Sequence, residues 1–302
     1  MSGKSGQSGS GQSGSAGQGT SGTGGSTGGA AGSSGTSGQS GAGGATAGTS
    51  GQGGAGGTSG NGGAAGAATG CAGQAVCDDF EGASADGPPD ATRWDVVSPN
   101  CAGTGKLAID ATQAHSGQRS VRIDGKGGYC NHVFFSSKAP LSTLGSVIYG
   151  RFYLRLGGSL GDGHVTFLAM RDTADSGGKD LRMGGQSKIL MWNRESDDAT
   201  LPSLSPAGIA QSVQPAPGTW RCVEFMVDGA QGQLQTWVDG AAVAGLQVDA
   251  SSTPDIDMQW HSKSDWKPSL VDLRLGWESY AGQDMTLWFD DVAVDTKRVG
   301  CQ

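Results

Sequence analysis

The chain has 302 residues, 57 of them glycine, and a formal net charge of −8. Twenty-nine of those glycines lie in residues 1–70, a stretch with no Val, Leu, Ile, Phe, Tyr or Trp and with Lys4 as its one charged side chain. Such a stretch has almost nothing to bury against the conformational entropy of folding, so a globular protein of the full length is excluded. Irregular Gly spacing without proline excludes collagen as well.

Residues 1–70 are therefore expected to be a disordered Gly/Ser/Thr/Ala-rich linker, a spacer with an end-to-end reach of about 45 Å. Residues 71–302 are expected to form one domain, large enough to bury roughly 70–75% of its unfolded surface. Without Lys4 this body has 19 Lys and Arg against 28 Asp and Glu. It offers no basic stripe, so nucleic acid is excluded as a partner. No apolar run is long enough for a membrane-spanning segment. The opening MSGKSGQSGS lacks the apolar core of a secretory signal, so export would rely on a segment preceding Met1.

In chain order the body reads as strands. Expected runs are 76–81, 106–110, 118–124, 129–137, 147–156, 164–171, 188–193, 219–228, 233–238, 272–277 and 285–294. Several alternate with period two: Val223, Phe225 and Val227 share one face, and Leu234, Thr236 and Val238 share another. One buried face per strand is the signature of antiparallel sheet. Asp-Gly pairs at 124–125, 228–229 and 239–240 supply turns. No segment keeps a helical apolar period over a dozen residues. The expected fold is all-β, a two-sheet antiparallel β-sandwich of jelly-roll type.

Six cysteines, at 71, 77, 101, 130, 222 and 301, are an even set without a paired C-x-x-C metal pattern. They point to disulfides and an exported, secreted or surface-tethered protein. Proximity in sequence suggests Cys71 with Cys77 and Cys101 with Cys130, leaving Cys222 with Cys301; other connectivities stay open. The opening strand carries Glu81 and the closing strand Asp290 and Asp291. First and last strands of a jelly roll are commonly neighbours, and converging carboxylates suit Ca2+, with carbonyls from the turn at 114–118. A solvated acidic edge is the alternative.

The DDFE start, AHSGQRSVRI, GRFYLRL, DGHVTF, LRMGGQSKILMWNRES, TWRCVEFMVDG, TWVDG and LRLGWESY…LWFDDVAV occur in an order that resembles a concanavalin-A-like jelly roll. More closely, residues 76–301 resemble bacterial relatives of the fungal cellulose-induced secreted protein, a group similar in fold to glucuronan lyases and other polysaccharide lyases. The resemblance implies a structural calcium near the paired termini and a sheet facing carbohydrate. The expected partner is a polysaccharide, met by a monomeric body.

A lyase of this kind removes the C5 proton of a uronate and expels the 4-O substituent. It needs groups on the carboxylate, a base and an acid. Arg171 and Gln186 are the expected carboxylate holders. His164 or Tyr280 would take the proton, and Tyr280 would protonate the leaving oxygen. His164, Thr166, Leu168 and Met170 are in phase, whereas Arg171 is out of phase unless a bulge intervenes. Lys188, Trp192, Asn193, Trp260 and Trp266 are expected to contact substrate, the tryptophans by stacking on sugar faces. His115, His132 and His261 are expected to be structural or exposed. A glycan-binding module without chemistry is the alternative. A glycoside hydrolase would need two carboxylates about 5–10 Å apart. Glu195 and Glu278 are its best pair by position, and no E-x-D-x-E strand is present.

Overall fold

A computed structural model describes residues 71–301; the linker expected at 1–70 lies outside the described residues. Strands β1 (Val76–Asp78), β2 (Trp94–Val97), β3 (Lys106–Asp110), β4 (Ser120–Gly125) and β5 (Val133–Ser137) precede the long β6 (Val147–Leu156). Next come β7 (Val165–Asp172), β8 (Lys179–Gln186), β9 (Ile189–Arg194) and β10 (Ala199–Leu201). A second run holds β11 (Trp220–Asp228), β12 (Gln233–Val238) and β13 (Ala241–Val248), and β14 (Arg274–Ser279) and β15 (Met285–Asp295) close the chain. A four-residue 3-10 helix, Leu141–Leu144, and two four-residue α-helices, Pro206–Ile209 and Met258–His261, punctuate the connections.

The strands form two antiparallel sheets. One has the order β13-β12-β11-β6-β15-β4-β3, with β1 paired to the far end of β15; the other has the order β10-β9-β8-β7-β14-β5-β2. This is the expected sandwich. The sheets face each other across a core that includes Phe135, Phe152, Phe167, Phe225, Leu275, Trp277 and Phe289. Alternation supplies it: in β11, Val223, Phe225 and Val227 turn inward, and Glu224 turns out.

The core also holds the tryptophans that the sequence places at a groove. Trp192 is 0% exposed, donates from Nε1 to the Thr236 hydroxyl at 2.8 Å and meets the Phe225 ring edge-on. It is a strut between the sheets. Trp260 and Trp266 are 1% and 7% exposed and pack edge-to-face at 4.7 Å, with the Arg194 guanidinium over Trp260. None of the three rings is open to a sugar. Polar neighbours suggest a groove for each of them, but in β9 Asn193 turns outward while Trp192 turns inward by strand alternation.

All three suggested disulfides form: Cys71–Cys77, Cys101–Cys130 and Cys222–Cys301. No helix among the described residues is long and apolar enough to cross a membrane.

Candidate functional site

On β8 and β9 the inward side chains are Leu181, Met183, Leu190 and Trp192. Arg182, Gln186 and Asn193 therefore lie on the outer face, where Arg182 stands opposite Asn193 in the ladder. With His164, Glu195 and Tyr280 they line a cleft of about 670 Å³. His164 ends the loop before β7 and Tyr280 follows β14. The Tyr280 N–H donates to the His164 carbonyl at 2.9 Å, which fixes the two residues side by side. Their rings stack with centroids 5.3 Å apart and planes 17° apart.

Arg182 is the hub of the cleft floor. Its Nη1 donates to the Tyr280 hydroxyl at 3.3 Å. Its Nη2 lies 2.9 Å from Glu195 and 3.5 Å from the buried Glu278. Burial works against the charge of this guanidinium, but Glu278 and Glu195 outweigh it and hold the group above its ordinary value. Burial, then repulsion from Arg182, pushes His164 down to about 4. Burial and a hydrogen bond to Glu278 push the Tyr280 phenol well up. At neutral pH the cleft thus presents a neutral imidazole, which accepts a proton, beside a neutral phenol, which donates one.

His164, Gln186, Asn193 and Tyr280 are thus brought together as expected. Arg171 is not. A bulge between Thr166 and Leu168 does break the strand phase, but Arg171 sits roughly 20 Å further along β7. There it is exposed, with its guanidinium beside Gly178. Lys188 is exposed in the tight turn between β8 and β9, 3.8 Å from Asp162, and does not line the cleft. Arg182 escapes the sequence reading because KDLRMGGQ, with its paired glycines and charges, does not read as a strand. Gly184 is required by space, since a Cβ there would strike the Val165 carbonyl, and a Cβ at Gly185 would press on the Leu160 side chain. The hydrolase pair, Glu195 and Glu278, converges on the Arg182 guanidinium, with Glu195 lining the cleft and Glu278 buried.

The termini form a second polar centre. β15 is bulged between Asp290 and Ala293, with Asp291 at φ +47°. Asp290 accepts the N–H groups of His115 and Ser116, and Asp291 accepts from the Ser116 hydroxyl and contacts His115 Nδ1 at 2.7 Å. The same loop is held at its other end by Glu81, which accepts the N–H groups of Gln118 and Arg119. Gly117 between them, at φ +61°, leaves room for the Glu81 side chain. Asp290 is fully buried; burial, and then Asp291, pushes its carboxyl up to about 8. Asp291 also faces the His115 ring, and the buried Arg151, whose Nε donates to the Asp291 carbonyl, acts on both carboxylates. Glu81 serves as a clamp on the loop. The trio of mutually close ligand-type side chains among the described residues is Cys222, Glu224 and Cys301, whose sulfurs are joined in a disulfide.

The polysaccharide lyase-like family described as Cip1-like, core domain, matches residues 79–297. Among solved structures, the chain is similar to Cellulose induced protein, Cip1, with 40% sequence identity and a TM-score of 0.68, covering 75% of this chain and 100% of that one. It is also similar to an endo-beta-1,4-glucuronan lyase from the fungus Trichoderma reesei, at 15% identity and a TM-score of 0.41, covering 70% of this chain and 94% of that one. No curated protein sequence matches. The match spans both sheets, the cleft and the bulged terminal strand, and the chain belongs to the Cip1-like family.

Proposed function

We propose that the cleft binds a uronate-containing polysaccharide and cleaves it by β-elimination. The observation that carries this reading is the His164–Tyr280 stack tied through the Tyr280 hydroxyl to Arg182. A neutral base, a neutral acid and a fixed cation stand there within one cleft. Membership of a polysaccharide lyase-like family supports the same substrate class.

The substrate carboxylate would lie toward Arg182, Gln186 and Asn193. Withdrawing electron density through it acidifies the C5 proton. The His164 imidazole takes that proton, the electron pair forms the C4–C5 double bond, and the C4–O bond breaks. Tyr280 donates its proton to the departing oxygen and recovers one from His164 through solvent. A bound carboxylate also offsets the Arg182 charge that depresses His164, so the base strengthens when substrate arrives.

Incubation with a panel of polyuronates tests the reading by the ultraviolet absorbance of the unsaturated product. Wild type should form it on at least one polymer, and His164→Ala and Tyr280→Phe should each lower the rate by about 10²–10⁴-fold. Retention of polymer with no unsaturated product from any uronate would sink cleavage and leave a glycan-binding module.

Two further properties belong to the same reading. Three disulfides suit an exported protein. The Asp290–Asp291 bulge, with carbonyls of the loop at 114–118, would hold a structural Ca2+.

A further inference from the structure

Four large apolar or aromatic side chains among the described residues are exposed: Val96, Tyr129, Met258 and Tyr280. Two of the four touch each other. Tyr129 and Tyr280 are 45% and 47% exposed, and their ring centroids are 5.1 Å apart. With His164 on Tyr280 at 5.3 Å, the rings make a row that leads from the proposed reacting centre out of the cleft. Tyr129 does not line the cleft itself, so it stands one step beyond the wall.

The segment that carries Tyr129 is fixed from several sides. The next residue, Cys130, is bonded to Cys101. Gly128 N–H donates to the Ala281 carbonyl at 2.7 Å, one residue past Tyr280. Lys126 pairs with Asp284 at 2.6 Å, and Gly127 N–H donates to the same carboxylate. Asn131 Nδ2 bonds the Gly127 carbonyl, and the buried His132 meets the Tyr129 ring edge-on at 4.9 Å. An exposed aromatic ring costs hydration, and so many restraints on a loop hold that ring in place before a ligand arrives. A pyranose presents an apolar C–H face that suits such a ring.

We propose that Tyr129 is a sugar-stacking subsite outside the cleft, so that the glycan is held as a polymer running from the His164–Tyr280 centre over Tyr129. This rests on the glycan-directed reading of the cleft but not on its chemistry. The Cys101–Cys130 bridge then serves binding as well as stability, because it anchors the loop next to the platform.

The test uses the full chain, polyuronate retention in affinity electrophoresis, and cleavage of polymer against trisaccharide. Tyr129→Ala should weaken retention about tenfold, lower the polymer-to-trisaccharide ratio of kcat/KM, and be rescued by Tyr129→Trp. Thermal melts confirm that the variants fold. If Tyr129→Ala retains polymer within twofold of wild type, the subsite does not exist. If wild type retains polymer without cleaving it and Tyr129→Ala loses retention, the lyase reading fails and the subsite stands. If wild type retains no polyuronate, both fall.

Discussion

His164 carries a prediction that follows from its surroundings alone. Its folded value, about 4, lies below the ordinary 6.5 because burial and Arg182 both disfavour the charged ring. The unfolded chain therefore binds a proton that the folded chain refuses between those two values. Its stabilising contribution is fully present above about pH 6.5 and is lost as pH falls through about 4. The full shift corresponds to at most about 3 kcal/mol. Melting curves of wild type should fall across that window, and His164→Gln should flatten the fall by a measurable part of it. Parallel curves for the two proteins would show that His164 does not sense pH. The raised Tyr280 phenol adds the complementary expectation for activity: it stays protonated throughout the neutral range, so no alkaline limb from this group should appear near pH 8–9.

At the scale of elements, β3, β6 and β12 are readable to the residue because core-facing apolar residues fall at alternate positions, as Ile148, Phe152, Leu154 and Leu156 do in β6. β8 and β13 are not. In β8 the glycines replace the β-branched residues that mark a strand, since neighbouring backbone leaves no room for a side chain at Gly184. That one hidden strand conceals Arg182, and so the lining of the candidate cleft is legible in His164, Gln186 and Tyr280 but not in its cation. The tryptophans mislead for a related reason: composition shows which rings are present, and only pairing between sheets shows that Trp192 reaches Thr236. Nor does sequence order show how the last residues are held. Beyond β15 the chain returns over β11, where Arg298 meets the buried Glu224 at 2.8 Å and stacks on Trp237, and Arg151 bonds the Gly300 carbonyl. The Cys222–Cys301 bridge spans 79 residues, against 6 for Cys71–Cys77. Loop-closure entropy then assigns about 4.5 kcal/mol to the first and about 2 to the second. Denaturant unfolding of the paired Cys→Ala variants should rank them in that order. An equal or larger loss from removing Cys71–Cys77 would overturn the ranking by loop length.

For the whole molecule, β15 is the strand on which distant parts of the chain meet. One edge pairs with β6, and the other pairs first with β4 and then, past the bulge, with β1. The bulge falls where β4 ends and β1 begins, and the loop between β3 and β4 reaches over that gap to Asp290, Asp291 and Glu81. Asp290 and Asp291 thus fasten a loop 175 positions away in the chain, and Glu81 fastens the same loop from 37 positions away. Ionising Asp290 next to Asp291 acts against all of these contacts together, because burial denies the charge solvent and pushes the Asp290 carboxyl up to about 8. A cation there would bind the folded chain and not the unfolded one, and would raise global stability by mass action. At a hundredfold excess over its Kd that gain is about 2.7 kcal/mol, or roughly 5–10 °C in Tm for a domain of this size. Protein dialysed against chelator should melt lower by that margin, recover with added Ca2+, and lose the response in Asp291→Asn, while Glu195→Gln in the distant cleft keeps it. If chelated and Ca2+-supplemented wild type melt together, the bulge is neutralised by protonation and by the loop N–H groups alone, and the calcium proposal is wrong.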